Sequence, residues 1–247
     1  MKFIRAVLRQ QTAMPVLTLI FATGICLMLV IARIVLSGNF RYAFLIWNLF
    51  LAWLPLLFAV LACEKYRTGA GRNWRFLSLT GAWLMFFPNA PYIFTDLIHL
   101  TYEHRSHFWM DMVLILSCAL TGLVLGFLSL FLMQSLVRRV FGRLVSWLFI
   151  ALIAGLSGFG VYLGRFERFN SWDILVKPFA LSRGIVGWAA EPFAHPAAIA
   201  FPVLFATFLF ITYLMLYALT LMQFHKPAAG RTESLLDRTS TPAHDAQ

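Results

Sequence analysis

Apolar residues run along this chain in long blocks free of charge. Five such blocks, at residues 16–32, 43–63, 112–133, 144–161 and 197–222, hold no Asp, Glu, Lys or Arg. A helix needs about 20 mostly apolar residues to cross a bilayer, so each block predicts a membrane-spanning helix. A sixth, 76–95, has the same character until "PNAP" at 88–91 interrupts it. With their flanks the expected spans are 16–36, 42–63, 76–97, 108–133, 144–163 and 197–222. The expected fold is all-α, a polytopic transmembrane bundle of about six spans in one integral membrane domain, 1–222, with the third span broken or kinked at Pro88–Pro91. Residues 223–247, polar and rich in Thr, Ala and Asp, read as a disordered cytoplasmic tail.

Composition agrees with this pattern. Hydrophobic residues make up 61% of the 247 and charged residues 12%, with a mean hydropathy of +0.79; a soluble domain carries about 25% charged residues. The first apolar run has no small-x-small cleavage site after it, so "MKFIRAVLRQQTAMP" leads into an uncleaved first span. Cys26, Cys63 and Cys118 lie in or beside different spans with no paired spacing, and read as small buried apolar residues.

The net charge of +10 reflects topology, not nucleic-acid binding. If six spans alternate, thirteen Lys and Arg fall on the side of the amino terminus and seven on the other. The positive-inside rule then puts both termini in the cytoplasm. The acids and histidines sort the opposite way: Asp96, Glu103, Asp111, Glu167, Asp173 and Glu191, with His99, His104, His107 and His195, fall outside. Candidate chemistry belongs to that outer face.

Pro88 and Pro91 each remove a backbone donor and crowd the preceding turn. Two readings stand: a proline kink with Asn89 bonded locally, or an unwound segment that turns Asn89 toward the bundle and lines a site. Asp96 and His99, three apart, share a helix face. Asp111 sits about one turn into the next span, where a carboxylate needs a partner. Asp96, His99 and Asp111 are the candidate acid, base or ligand groups, and all three are expected in one outer cluster with Arg165 and Asp173. His and Asp at such spacing also suit a divalent metal, although the pattern matches no H-E-x-x-H motif; the cofactor is otherwise unspecified.

The second outer stretch, "GFGVYLGRFERFNSWD" at 158–173, adds Arg165, Arg168, Asn170 and Asp173, which with Asn89 form the candidate substrate-binding set. Arg165 and Arg168 suit an anion such as phosphate, and equally suit Asp96 and Asp111 as ion-pair partners. The segment 164–197, too polar to span, is either a lid or a connector. Gly122 with Gly126, and Gly160 with Gly164, permit close helix approach. Asn48, near the outer end of the second span, reads as a core hydrogen-bonding group or a pocket contributor.

Four stretches, "NLFLAWLP", "FFPNAPYIFTDLIHL", "WMDM" and "GVYLGRFERFNSWD", resemble the bacterial membrane-protein family catalogued as domain of unknown function 1361, over roughly residues 35–222. The resemblance implies a six-span inner-membrane protein and attention to these stretches; it implies no mechanism. Three classes of function follow. The first is a site at the periplasmic face that binds or acts on a lipid-linked or envelope substrate, the second a transporter or channel component, and the third a non-catalytic scaffold subunit. No clear span carries a charge at its middle, which counts against ion-coupled transport.

Overall fold

The computed structural model describes residues 10–67, 73–102, 108–169, 173–176, 178–179, 182–183, 186 and 196–223. Asn170, His104, His107, the tail from residue 224 and most of 178–194 lie outside the described residues. The elements are α1 (Gln10–Ser37), α2 (Phe44–Lys65), α3 (Trp74–Phe86), α4 (Asn89–Tyr92), a 3-10 helix (Ile93–Tyr102), α5 (Phe108–Arg165), α6 (Asp173–Val176) and α7 (Pro196–Gln223). No strand occurs among the described residues.

Four helices are long and apolar enough to cross a membrane: Met14–Ser37, Phe44–Lys65, Phe108–Arg165 and Ala198–Thr220. Their outer surfaces are hydrocarbon. Leu17, Ile20 and Phe21 of α1 and Leu148 and Leu152 of α5 are all more than half exposed. A soluble monomer does not present apolar surface on this scale, and this is the make-up of a membrane protein.

The chain falls into two compact units, Met1–Leu209 and Phe210–Gln247. The second is described only as the end of α7, where Tyr213 and Tyr217 stack with ring centroids 6.3 Å apart. All of the candidate site lies in the first.

Within that unit, α2 buries Leu45, Leu49, Ala52 and Leu56, one helical stripe, against Leu114, Ile115, Cys118 and Ala119 of α5. Hydrocarbon outside and inside leaves little hydrophobic driving force, so close packing and interhelical hydrogen bonds must hold such helices together. Two indoles supply such bonds. Trp83 Nε1 donates to Ser129 Oγ at 3.2 Å, and Trp53 Nε1 to Thr23 Oγ1 at 3.2 Å.

The 58 residues of α5 are two helices joined at Gly142, where φ 87° and ψ −178° leave the helical region. Glycine adopts that φ without steric penalty. The contacts along 83–96 give the directions of the two arms. On the first arm the partners fall from Ser129 at Trp83 to Gly126 at Ala90 and Gly122 at Ile93. On the second they rise from Phe149 at Trp83 to Gly160 at Pro88 and Gly164 at Tyr92. The chain therefore reverses at Gly142, and both arms clasp one short segment.

The glycine pairs make the clasp possible. A Cβ on Gly122 would lie 2.8 Å from the Ala90 carbonyl oxygen, one on Gly126 2.9 Å from Ala90 Cβ, and one on Gly160 2.9 Å from Pro88 Cγ. The two pairs seat opposite sides of residues 88–93.

Candidate functional site

The proline segment folds by exchanging its hydrogen bonds locally. Pro88 and Pro91 have no N–H to offer the preceding turn, so α3 ends at Phe86. The Ala90 N–H turns to the Phe87 carbonyl at 3.1 Å, and Asn89 Nδ2 donates to the Phe86 carbonyl at 3.0 Å in its place. Phe87, Pro88 and Ile93 keep right-handed helical angles. The backbone is thus tightened, not unwound, and continues as the 3-10 helix from Ile93. With three residues per turn, positions three apart eclipse, which puts Asp96 and His99 on one face.

Asp96 is only 1% exposed, and both of its oxygens are engaged. Asn48 Nδ2 donates to Oδ2 at 2.9 Å, and Arg165 Nη2 lies 3.1 Å from Oδ1. The same guanidinium donates to the Thr95 carbonyl, lies 3.4 Å from the Tyr92 hydroxyl, and sits 5.4 Å from the Tyr92 ring centroid. Arg165 therefore neutralises Asp96 and fixes Tyr92. His99 Nε2 is 3.9 Å from Asp96 Oδ1, beyond hydrogen-bonding distance. Burial, then the charges of Arg165 and Arg41, hold the imidazole below its usual pKa and favour its neutral form.

Asp111, also fully buried, belongs to a different ion pair. Arg33, at the end of α1, holds it with two hydrogen bonds, Nη2 to Oδ2 at 3.0 Å and Nε to Oδ1. A chain of rings links the two pairs: Arg33 lies over Tyr42, Tyr42 touches Phe44, and Phe44 meets His99 with centroids 5.1 Å apart. The structure thus pairs Asp96 directly with Arg165, sets His99 beside them without a hydrogen bond, and gives Asp111 to Arg33. Asp173 is buried at the start of α6, and Arg168 is exposed with φ 58°, in the turn where the Phe169 N–H reaches the Leu163 carbonyl.

Beside the cluster lies a cavity of about 530 Å³, bounded by α2, the 81–92 segment and the second arm of α5. Asn48, Asn89, Tyr92 and Ser157 are its polar lining, and no charged residue is among the described residues that line it. Asp96 and Arg165 stand behind this wall and orient Asn48 and Tyr92, which reach it. Among the described residues no three of His, Cys, Asp and Glu come together as metal ligands. The arrangement can accept and donate uncharged hydrogen bonds, most of them at one end of a largely apolar space.

Sequence reasoning saw Asn48 as a polar residue in an apolar run, without its partner. Arg33 and Tyr92 were missed as site residues. Their signals were present: Asp111 inside a span requires a cation at the same membrane level, and Tyr92 lies one turn before Asp96.

A family model described as a protein of unknown function, DUF1361, matches residues 47–215, which include every described residue of the Asp96 cluster and of the cavity lining. No curated protein and no solved structure matches.

Proposed function

Since the chain belongs to the DUF1361 family, whose description carries no activity, we propose a function from its geometry: a multi-pass protein of the bacterial inner membrane that binds a lipid-linked or envelope substrate at its periplasmic face. The reading takes six crossings with both termini in the cytoplasm. The reversal at Gly142 supports that count, because it makes two crossings of α5, and 76–97 would supply another.

One observation carries the proposal. A cavity of ligand size has Asn48, Asn89 and Tyr92 gathered at one end, with Ser157 further along its wall, and a buried ion pair braces that end from behind. A pair needed only to hold helices together has no reason to orient two cavity-lining side chains. Asp96, Arg165 and His99 are positioning groups in this reading, and Asn48, Asn89 and Tyr92 touch the ligand. Arg168, exposed next to the cavity-lining Phe169, extends the site toward any anionic headgroup beyond the cavity.

The test is co-purification. Full-length wild type and Asp96→Asn, extracted in mild detergent, are compared by native mass spectrometry of bound lipid. The wild type should retain one species well above its share of the membrane, and Asp96→Asn should retain at least ten-fold less at equal folding yield. Retention of bulk lipids only, in bulk proportions, would favour a scaffold subunit; flux of a solute through reconstituted vesicles would favour a transport component.

A further inference from the structure

The cavity has a direction. Its lining on the third hydrophobic segment is Gly81, Leu84, Met85, Pro88, Asn89 and Tyr92, spaced at three and four residues and so a continuous helical stripe. That stripe is apolar from Gly81 to Pro88 and polar from Asn89 onward. At about 1.5 Å per residue it runs about 16 Å, close to half of a hydrocarbon core roughly 30 Å thick. The opposite wall runs alongside: Leu156 and Ser157 lie toward the Gly81 end, and Gly164 packs on Tyr92 at the other, so the polar end is set by Asn48, Asn89 and Tyr92.

The cavity also opens sideways. Trp47 is 53% exposed, Leu84 39% and Leu156 43%, and Gly81 is exposed too. These residues belong to the same apolar exterior as the spanning helices. An opening there faces hydrocarbon. With no charged residue among its described lining, the space suits an uncharged chain and not a phosphate.

We infer that the cavity is a slot for one acyl chain of a glycerophospholipid, entered laterally between α2 and the second arm of α5, with the ester group of that chain against Asn48, Asn89 and Tyr92. This deepens the proposed function and rests on it, since the slot would anchor the lipid portion of the substrate. An ester carbonyl accepts from the Tyr92 hydroxyl, and its uncharged oxygens need no counter-ion. The charged headgroup stays outside, on the side of Arg168.

The experiment uses the full chain in vesicles of phosphatidylethanolamine and phosphatidylglycerol, doped with a phospholipid bearing a diazirine midway along one acyl chain. Irradiation and peptide mass spectrometry locate the label. Met85 and Leu156 should be labelled at least five-fold more than Leu148 and Leu17, which face outward without lining the cavity. Gly81→Phe should abolish that excess: Gly81 lines the mouth, and a Cβ there meets nothing within 4 Å, so the new side chain starts in open space. Gly155→Phe, equally open but outside the lining, should leave it intact, and Leu84→Trp serves as a second plug if Gly81→Phe fails to fold. A fatty alcohol carrying the same diazirine should label at least five-fold less than the phospholipid. Labelling with no excess, an excess that survives both plugs, or equal labelling by the alcohol overturns the slot. Selective chain labelling without the headgroup enrichment expected on co-purification removes the substrate reading and keeps the slot; enrichment without chain labelling removes the slot alone.

Discussion

Asn48 donates to the Asp96 carboxylate at 2.9 Å and so ties α2 to a buried carboxylate of the 3-10 helix. Hydrogen bonds to buried charges contribute about 1.5–3 kcal/mol. Asn48→Leu should therefore lower stability by about that amount in thermal unfolding of the detergent-solubilised protein. Asn48→Asp should cost more at neutral pH and recover on acidification, because it sets two carboxylates side by side. Equal losses for the two variants at all pH values would show that Asn48 serves only as volume.

Arg165 and Asp96 should behave as a desolvated pair. Breaking a buried pair from one side costs about 3–5 kcal/mol, whereas replacing both members with apolar groups is often close to neutral. Arg165→Met is expected to show the large loss, and Arg165→Met with Asp96→Leu to regain most of it in the same unfolding assay. A double variant no more stable than the single one would contradict this.

The glycines of α5 should divide by what faces them. Gly122→Ala forces a Cβ to within 2.8 Å of the Ala90 carbonyl oxygen, and overpacking of this kind costs about 1–3 kcal/mol. Gly155 faces open space, so Gly155→Ala should stabilise the helix by up to about 1 kcal/mol. Opposite shifts in melting temperature are expected.

His99 gives a pH dependence of known sign. Its pKa is lowered in the folded protein by burial, then by Arg165 and Arg41. The unfolded chain thus takes up the proton first as pH falls. The resulting stability is present above the usual imidazole value of 6.5 and is lost as pH drops through the lower folded value. The side chain is about a third exposed, so the effect is modest. Thermal midpoints between about pH 5 and 7.5, the range of imidazole titration, should fall less steeply for His99→Gln than for wild type. Parallel curves would mean that His99 is not the titrating group.

Topology is checked by reporter fusions. A fusion after Arg139, three residues before the Gly142 reversal, should report cytoplasm, and one after His107 should report periplasm. The reverse pattern would invert the proposed orientation and move the Asp96 cluster to the wrong side.

Much of this arrangement was legible because charge is scarce. Among so few ionisable residues, Asp96, Asp111 and Arg165 stood out against the apolar blocks, and the glycine pairs announced close packing. Their pairings were less legible, since they depend on which helices become neighbours. The same rule that demanded a partner for Asp111 was satisfied equally by Arg165 on paper and by Arg33 in space. Asn89 illustrates a different limit. Its side chain both replaces a lost backbone donor and borders the cavity, so local bonding and a place in the cavity wall were not exclusive, although the segment is not unwound. Asn170 and the histidines at 104 and 107 fall outside the described residues, and nothing in the geometry bears on them.

The clasp formed by the two arms of α5 also fixes an order of events during synthesis. Residues 88–93 leave the ribosome before Gly122 and Gly126, and long before Gly160 and Gly164. Their first neighbour, α2, is already made, but neither seat exists. A nascent chain halted near Gly142 can close one side of the clasp and must leave the Pro88 side bare. Only when Arg165 has been added does Asp96 acquire its counter-ion. The polar cluster is thus a signal of completion: a carboxylate placed early in the chain becomes affordable to bury only after the residue that neutralises it arrives.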